Sequence, residues 1–333
     1  MKGYASILSF PFRIYGDAFL PRLDGVVAGG ELSIRIYPPF RVRDRGSPLS
    51  PQVPFPMWTA FEWHPKLPKD KRLAPPKDLT PTPFGDRAYD AFRMDAWGVN
   101  CEQRSQQFAH QFLRWIRRLT EQAWIGAFES QTDPMVKGRF QIDECGRAID
   151  TPYVCGVFLT SDGFRHPLRS DEWKEAFQRT LAAEEPETYW LLYLDAVNNQ
   201  SMQRVGEAIL SLALSLEVAR DTLFETFAAS VDRSETGIRL GSPFDGDDLR
   251  KHLSRHLELA SGRNLRVERP DLWQAVDDLY VARHKVAHGK RPIVRMPGGV
   301  RATTGEDIGR WSKAVRATIV WMEKVSRQGE QPG

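Results

Sequence analysis

Apolar positions along the chain change period once, and that change divides it. Through the first hundred residues they come in short aromatic or β-branched runs: 7–14, 32–37 (LSIRIY), 58–63 (WTAFEW) and 92–97 (FRMDAW). Alternation with a period of two turns one face of a strand to a core and the other away from it, so these runs predict an antiparallel sheet. Between residues 44 and 84 stand ten prolines, Pro75-Pro76 among them. Proline donates no backbone hydrogen bond and breaks helices, so this stretch predicts extended loop. From Glu102 the period lengthens: Phe108, Phe112, Trp115, Ile116 and Leu119 recur at helical spacing, with Arg114, Arg117 and Arg118 expected on the other side. That pattern predicts an amphipathic helix over 102–124, its aromatics packed in a core rather than presented to nucleic-acid bases. Strand-like runs return at 139–143 (RFQID) and 153–160 (YVCGVFLT), and 171–183 reads as a helix.

Beyond about residue 184 strand signals stop. Helices are predicted over 188–197, 199–229, 247–259, 271–288 and 306–325. Ala208, Leu212, Leu216, Ala219 and Leu223 make the stripe of the second. Leu272, Ala275, Val276, Leu279, Ala282 and Val286 make that of the fourth, and Trp311, Val315, Ile319 and Met322 that of the last. Helices joined by short or moderate loops pack as neighbours in an up-and-down bundle. The expected fold class is therefore α+β: a β-rich domain over 1–183, an all-α bundle over 184–327 and a disordered tail over 328–333.

Composition narrows the partners. With 333 residues and 41% hydrophobic content the chain has core enough for two domains, and a net charge of +3 leaves the local placement of charge to decide what it binds. Cys101, Cys145 and Cys155 are odd in number and contain no C-x-x-C pair, which argues against a disulfide framework or zinc ribbon and fits a reducing cytoplasm. The opening MKGYASILSFPFRIYG is broken by Pro11 and Arg13 before a signal-peptide core is complete. No stretch approaches the roughly 20 apolar residues of a membrane span, so no membrane partner is expected. G-x-x-x-x-G-K-[ST], G-x-S-x-G and H-E-x-x-H are absent. The segment 66–77 (KLPKDKRLAPPK) reads as a solvated basic loop. Asp248, His252 and His256 share a helix face, but three successive turns are too long for one ion, so neither metal nor cofactor is expected.

One segment stands apart. From Leu279 to Gly305 there is no Asp or Glu, while Arg283, Lys285, Lys290, Arg291, Arg295 and Arg301 are all present with His284 and His288. A polyanion meets little repulsion in such a stretch. At about 100° per residue, Arg283 lies at the margin of the apolar stripe and the two histidines face outward together. The run R-H-x-x-x-H-G, from Arg283 through His284 and His288 to Gly289, resembles the R-x(4–6)-H motif of HEPN domains. Residues 209–220 (ILSLALSLEVAR), with Glu217, are similar to the A-x-x-A-L-E pattern of the helix that commonly precedes the motif. The resemblance covers about 140 residues of the C-terminal part. Arg250 and His256 satisfy the same loose spacing, but they lie among Asp245, Asp247 and Asp248. Many members carry Asn directly after the Arg, where this chain has His284.

The resemblance implies an HEPN-like bundle and, in active members, metal-independent RNA cleavage where two copies of the motif meet at a dimer interface. His288 would be the acid/base, with His284 beside it and Arg283 as phosphate clamp, while Lys285, Lys290, Arg291 and Arg295 would hold the substrate. The chemistry is intelligible from the residue types: an imidazole moves the proton of a 2′-hydroxyl or of a leaving oxygen, and a guanidinium offsets charge on phosphate. On a straight helix Arg283 and His288 diverge by roughly 140°, so pairing two copies would focus both on one phosphate. The implied setting is a toxin or antiviral effector with a homodimeric state, an RNA substrate and a neutralising or activating protein partner. The alternative is a non-catalytic HEPN-like module for nucleic-acid or nucleotide binding or for dimerisation. An Arg and His at a helix C-terminus also complement the helix dipole, with Gly289 as cap.

Overall fold

Alternation builds the sheet of the N-terminal unit. The computed structural model describes residues 3–9, 20–37, 91–123, 136–146, 149, 153–154, 168–230, 253–254, 258 and 262–329. The chain forms two compact units, Met1–Glu185 and Pro186–Gly333. In the first, strands β1 (Gly3–Ser9), β2 (Leu23–Val26), β3 (Leu32–Ile36), β4 (Ala91–Gly98), β5 (Val136–Ile142) and β6 (Tyr153–Val154) make one antiparallel sheet, ordered β2-β3-β4-β1-β5-β6. Ser6 sits opposite Met94 on one side of β1 and opposite Arg139 on the other. The expected strand over 58–63, the proline-rich loop around it and the basic segment 66–77 lie outside the described residues.

Helices α1 (Cys101–Thr120) and α2 (Ser170–Leu181) pack on the sheet and on each other. Phe92, Met94 and Ala96 of β4 face them and join Phe108, Phe112, Trp173 and Phe177 in the core. The rings of Phe112 and Trp173 meet edge to face at 4.9 Å, a favoured aromatic geometry. The helical stripe is wider than its spacing suggests: Arg117, expected on the outer side, is buried, with Nη2 donating to the Ala123 carbonyl at 3.0 Å. Arg93 and Asp95 alternate with the core residues of β4 and so take the opposite face of the sheet. There Arg93 Nε and Nη2 donate to the two carboxylate oxygens of Asp95 at 2.6 and 2.8 Å. Both side chains are 0% exposed.

The second unit holds α3 (Thr188–Ser201), α4 (Val205–Ser230), the single turn α5 (Leu265–Glu268), α6 (Pro270–Ala287), strands β7 (Ile293–Met296) and β8 (Gly299–Ala302), and α7 (Gly305–Gly329). Helix α4 packs against α3, α6 and α7. The stripes named above are buried, apart from Leu223 and Val286 at their ends, which are half-buried. The division between the first two helices falls later than position 199. Gln203 adopts φ 60°, and Gln203 N–H and Arg204 N–H close on the carbonyls of Gln200 and Asn199, which terminates α3. Most of the helix expected over 247–259 lies outside the described residues, as do Arg250, His256 and the Asp248/His252/His256 face.

This unit is helical but not all-α. Strands β7 and β8 pair as a hairpin with Met296 opposite Gly299, and the two-residue loop is Pro297-Gly298 with Gly298 at φ 89°. Pro followed by a left-handed Gly is what a tight turn of this kind requires. Interspersed arginines hide the short alternating runs in the sequence. Helix α7 runs through Gly329, into the expected tail. Among the described residues no helix is long and apolar enough to cross a membrane.

The hairpin is tied to α7 by charge. Arg301 Nη1 and Nη2 donate to Asp307 at 2.6 and 2.7 Å, and Thr304 adds its N–H and hydroxyl at 2.9 Å each. These donors, Arg301 first, hold the Asp307 carboxyl well below the usual range. Arg263, with help from the Trp321 N–H, lowers Glu268 to about 2. A carboxyl depressed in the folded state stabilises it above its unfolded value, about 3.9 for Asp and 4.3 for Glu. That contribution is lost as pH falls through the folded value. Stability is therefore expected to decline from about pH 4.5 toward 2. Acid titration followed by circular dichroism should show this, and Asp307→Asn should flatten the acid limb.

Candidate functional site at the end of helix α6

Helix α6 opens with Pro270 at its first position, where a missing N–H costs nothing. It closes on a Schellman motif: Gly289, at φ 66°, donates to the Val286 carbonyl at 2.9 Å, and Lys290 N–H donates to the Lys285 carbonyl at 2.8 Å. His288 is the C-cap residue, its N–H shared between the carbonyls of His284 and Lys285 at 3.3 and 3.2 Å. The capping role foreseen for His288-Gly289 thus belongs to the backbone, and it leaves the imidazole uninvolved.

His284 and His288 are both exposed, one turn apart, with ring centroids 4.4 Å from each other and planes inclined at 64°. Lys290 and Arg291, which follow them, are exposed, and Lys285 is half-buried. Among the described residues these three cations make no ion pair with an acid.

Arg283 belongs to a different set. It leans toward α4, where its Nη2 lies 3.5 Å from Glu217 Oε1, and its side chain remains 40% exposed. The same Glu217 oxygen accepts from the Tyr280 hydroxyl at 3.1 Å. Burial, and then the adjacent Glu217 charge, push the Tyr280 phenol well above its ordinary value, so the hydroxyl stays a donor across the physiological range. The structure therefore brings together His284 with His288, and Arg283 with Glu217 and Tyr280. Tyr280 and the anchoring role of Glu217 were not readable as site features, because nothing in a sequence says which acid a helix-margin arginine will meet. Glu217 stood out there only for its place in the preceding helix.

The acid-free stretch is less bare in three dimensions. Acids from elsewhere in the chain reach its outer members: Asp307 holds Arg301, and Asp277 lies 3.9 Å from Arg295. Arg295 is 64% exposed and this contact is at the limit of an ion pair, so it keeps most of its charge for solvent or a ligand. Within this stretch the cations without an acid partner among the described residues are Lys285, Lys290 and Arg291, which neighbour the histidines in the chain. A cleft of about 960 Å³ lies at the other end of α6, lined by Gln200, Asp271, Glu306, Arg310 and Lys313 among others. Its charges are mixed, and it is remote along the helix from the histidine pair. Among the described residues no three metal-ligating side chains gather.

No family model matches the chain, and no curated protein or solved structure matches it.

Proposed function

We propose that the chain is a metal-independent endoribonuclease of HEPN type, with the end of α6 as its active site. The observation that carries the proposal is the exposed His284/His288 pair, 4.4 Å between rings, on a preformed cap among unpaired cations. Two adjacent imidazoles supply what 2′-hydroxyl attack on a phosphodiester needs: one nitrogen to take the nucleophile's proton and another to give a proton to the 5′-leaving oxygen. The products are a 2′,3′-cyclic phosphate and a free 5′-hydroxyl. Lys290 and Arg291, with Lys285 and Arg295, hold the backbone of the RNA by charge.

Arg283 clamps a phosphate from its seat beside Glu217. In a single chain it points to α4 rather than to the histidines, which is the reason the reading includes a homodimer: the arginine of one copy serves the histidines of its partner. Helix α4, which carries Glu217, also exposes Leu210 (39%) and Leu214 (45%) one turn apart. These are the apolar side chains a second copy would cover. Leu214→Glu is expected to raise the dimer dissociation constant at least about tenfold, since burying an unpaired charge costs more than about 1.4 kcal/mol. Sedimentation across a concentration series reads it, and a dimer indifferent to the substitution removes this surface from the interface.

The test of the function is cleavage of a mixed RNA pool in EDTA by purified protein, followed by analysis of the new ends. Cyclic phosphate ends that vanish with His288→Ala support the reading. A folded dimer that cuts nothing favours the second reading, a non-catalytic module for binding and dimerisation. The setting of a toxin or defence effector, with a protein that neutralises or activates it, belongs to the same proposal and is tested by toxicity on expression.

A further inference from the structure

The same two histidines have the spacing of a metal clip. A metal-bound imidazole nitrogen sits about 2.0 Å from the ion, which puts each ring centroid about 3.2 Å from it; two rings at right-angled positions then stand about 4.5 Å apart. The observed separation is 4.4 Å, with both rings exposed and one helical turn between them. The backbone that carries them is already fixed by the hydrogen bonds of the cap, so little ordering remains to be done when an ion binds.

We propose that His284 and His288 form a bidentate site for a first-row transition-metal ion of the imidazole-preferring class, with Cu²⁺ tightest, and that occupancy silences the ribonuclease chemistry. Only the silencing rests on the functional reading above; the site does not. Two nitrogen ligands with water completing the shell select Cu²⁺, Ni²⁺ or Zn²⁺ over Mg²⁺ and Ca²⁺, which require oxygen. Lys285, Lys290 and Arg291 oppose any cation. The carbonyls at the C-terminal end of α6 favour one, and coordinate bonds to two imidazoles outweigh the screened repulsion of exposed charges. Once coordinated, a nitrogen has its lone pair in the metal bond and neither accepts nor returns a proton. The ion thus inhibits by occupying the acid/base atoms, without entering the reaction.

The experiment titrates the untagged full-length chain with CuCl₂, reading heat and the nitrogen hyperfine pattern in electron paramagnetic resonance. Wild type, His284→Ala, His288→Ala and the double variant are compared, with His252→Ala as a control for background binding. One ion per chain with two nitrogen ligands is expected. Either single substitution should weaken it at least about tenfold and leave one nitrogen, as loss of a chelate predicts. Binding to the double variant as tight as to wild type would overturn the site. In parallel, RNA cleavage by wild type is followed with stoichiometric Zn²⁺ and after EDTA. Loss and recovery support the silencing, and undiminished cleavage by the metal-loaded chain overturns it. Absence of cleavage even in EDTA removes the ribonuclease reading and leaves the metal site standing on the titration.

Discussion

Replacing His288 by alanine is expected to lower RNA cleavage in EDTA by about 10²–10⁴-fold, the usual worth of a positioned acid or base. Its interpretation depends on the fold surviving, and the geometry says that it does. His288 contributes its backbone to the cap at φ −97° and ψ 18°, which alanine adopts equally well. Its ring is exposed, with its centroid 4.4 Å from that of His284. Surface changes of this kind stay within about 0.5 kcal/mol. His284→Ala should act alike if the two rings share the proton work. Arg283→Ala is expected to differ in kind: under the proposed function it removes a phosphate clamp and also releases Glu217, so cleavage should fall while the Tyr280 hydrogen bond to Glu217 persists. Lys290→Ala and Arg291→Ala should weaken RNA binding and reduce its salt dependence, by a slope of about one for each phosphate that is no longer neutralised. Unchanged cleavage by His288→Ala, with cyclic phosphate ends still formed, would sink the assignment.

How much of this could be read beforehand follows from the physics of each feature. Helical stripes were legible because burial repeats with the helix itself: all of Trp311, Val315, Ile319 and Met322 are in the core, as are Leu272 through Ala282 of the α6 stripe. The outward direction of His284 and His288 follows from the same arithmetic, and their rings do meet. Strand β2 was missed because LDGV is four residues long, with a glycine and an aspartate in it. The β7/β8 hairpin was missed because its alternation is carried by arginines, one of which, Arg301, spends its charge on Asp307. Ion pairs between distant positions are the general limit. Arg283 with Glu217 and Arg310 with Asp278, at 2.9 Å, join residues far apart in the chain. Charge along a sequence shows that such partners are needed and cannot say which will meet. An acid-free run therefore overstated the positive surface at Arg301, whose charge Asp307 meets, while Lys290 and Arg291 beside the histidines are exposed.

The largest effect on stability is expected at Asp95. Arg93 and Asp95 lie two residues apart on β4, on the sheet face opposite α1 and α2, and no part of either side chain reaches solvent. Two ions removed from water cost several kcal/mol each, repaid here by a bidentate pair, the Tyr37 hydroxyl donating to Asp95 at 3.1 Å, and Arg93 donating to the Gly146 carbonyl at 2.6 Å. The Arg93 guanidinium also lies over the Tyr37 ring, 5.2 Å from its centre. Burial pushes the Asp95 carboxyl up, and the Arg93 charge pulls it back. Asp95→Ala leaves a guanidinium buried beside an unfilled space, so the change should cost about 3–5 kcal/mol. Arg93→Ala strands the carboxylate, which can take up a proton, and should cost somewhat less. The pair Arg93→Met with Asp95→Leu removes both charges and fills the volume; it should recover most of the loss, because well-packed apolar groups match a buried ion pair in net stability. Denaturant titrations of the four proteins separate the explanations. Recovery in the double variant shows that the cost lies in the orphaned charge, whereas additive losses would show that this face of the sheet depends on the ions themselves for its packing.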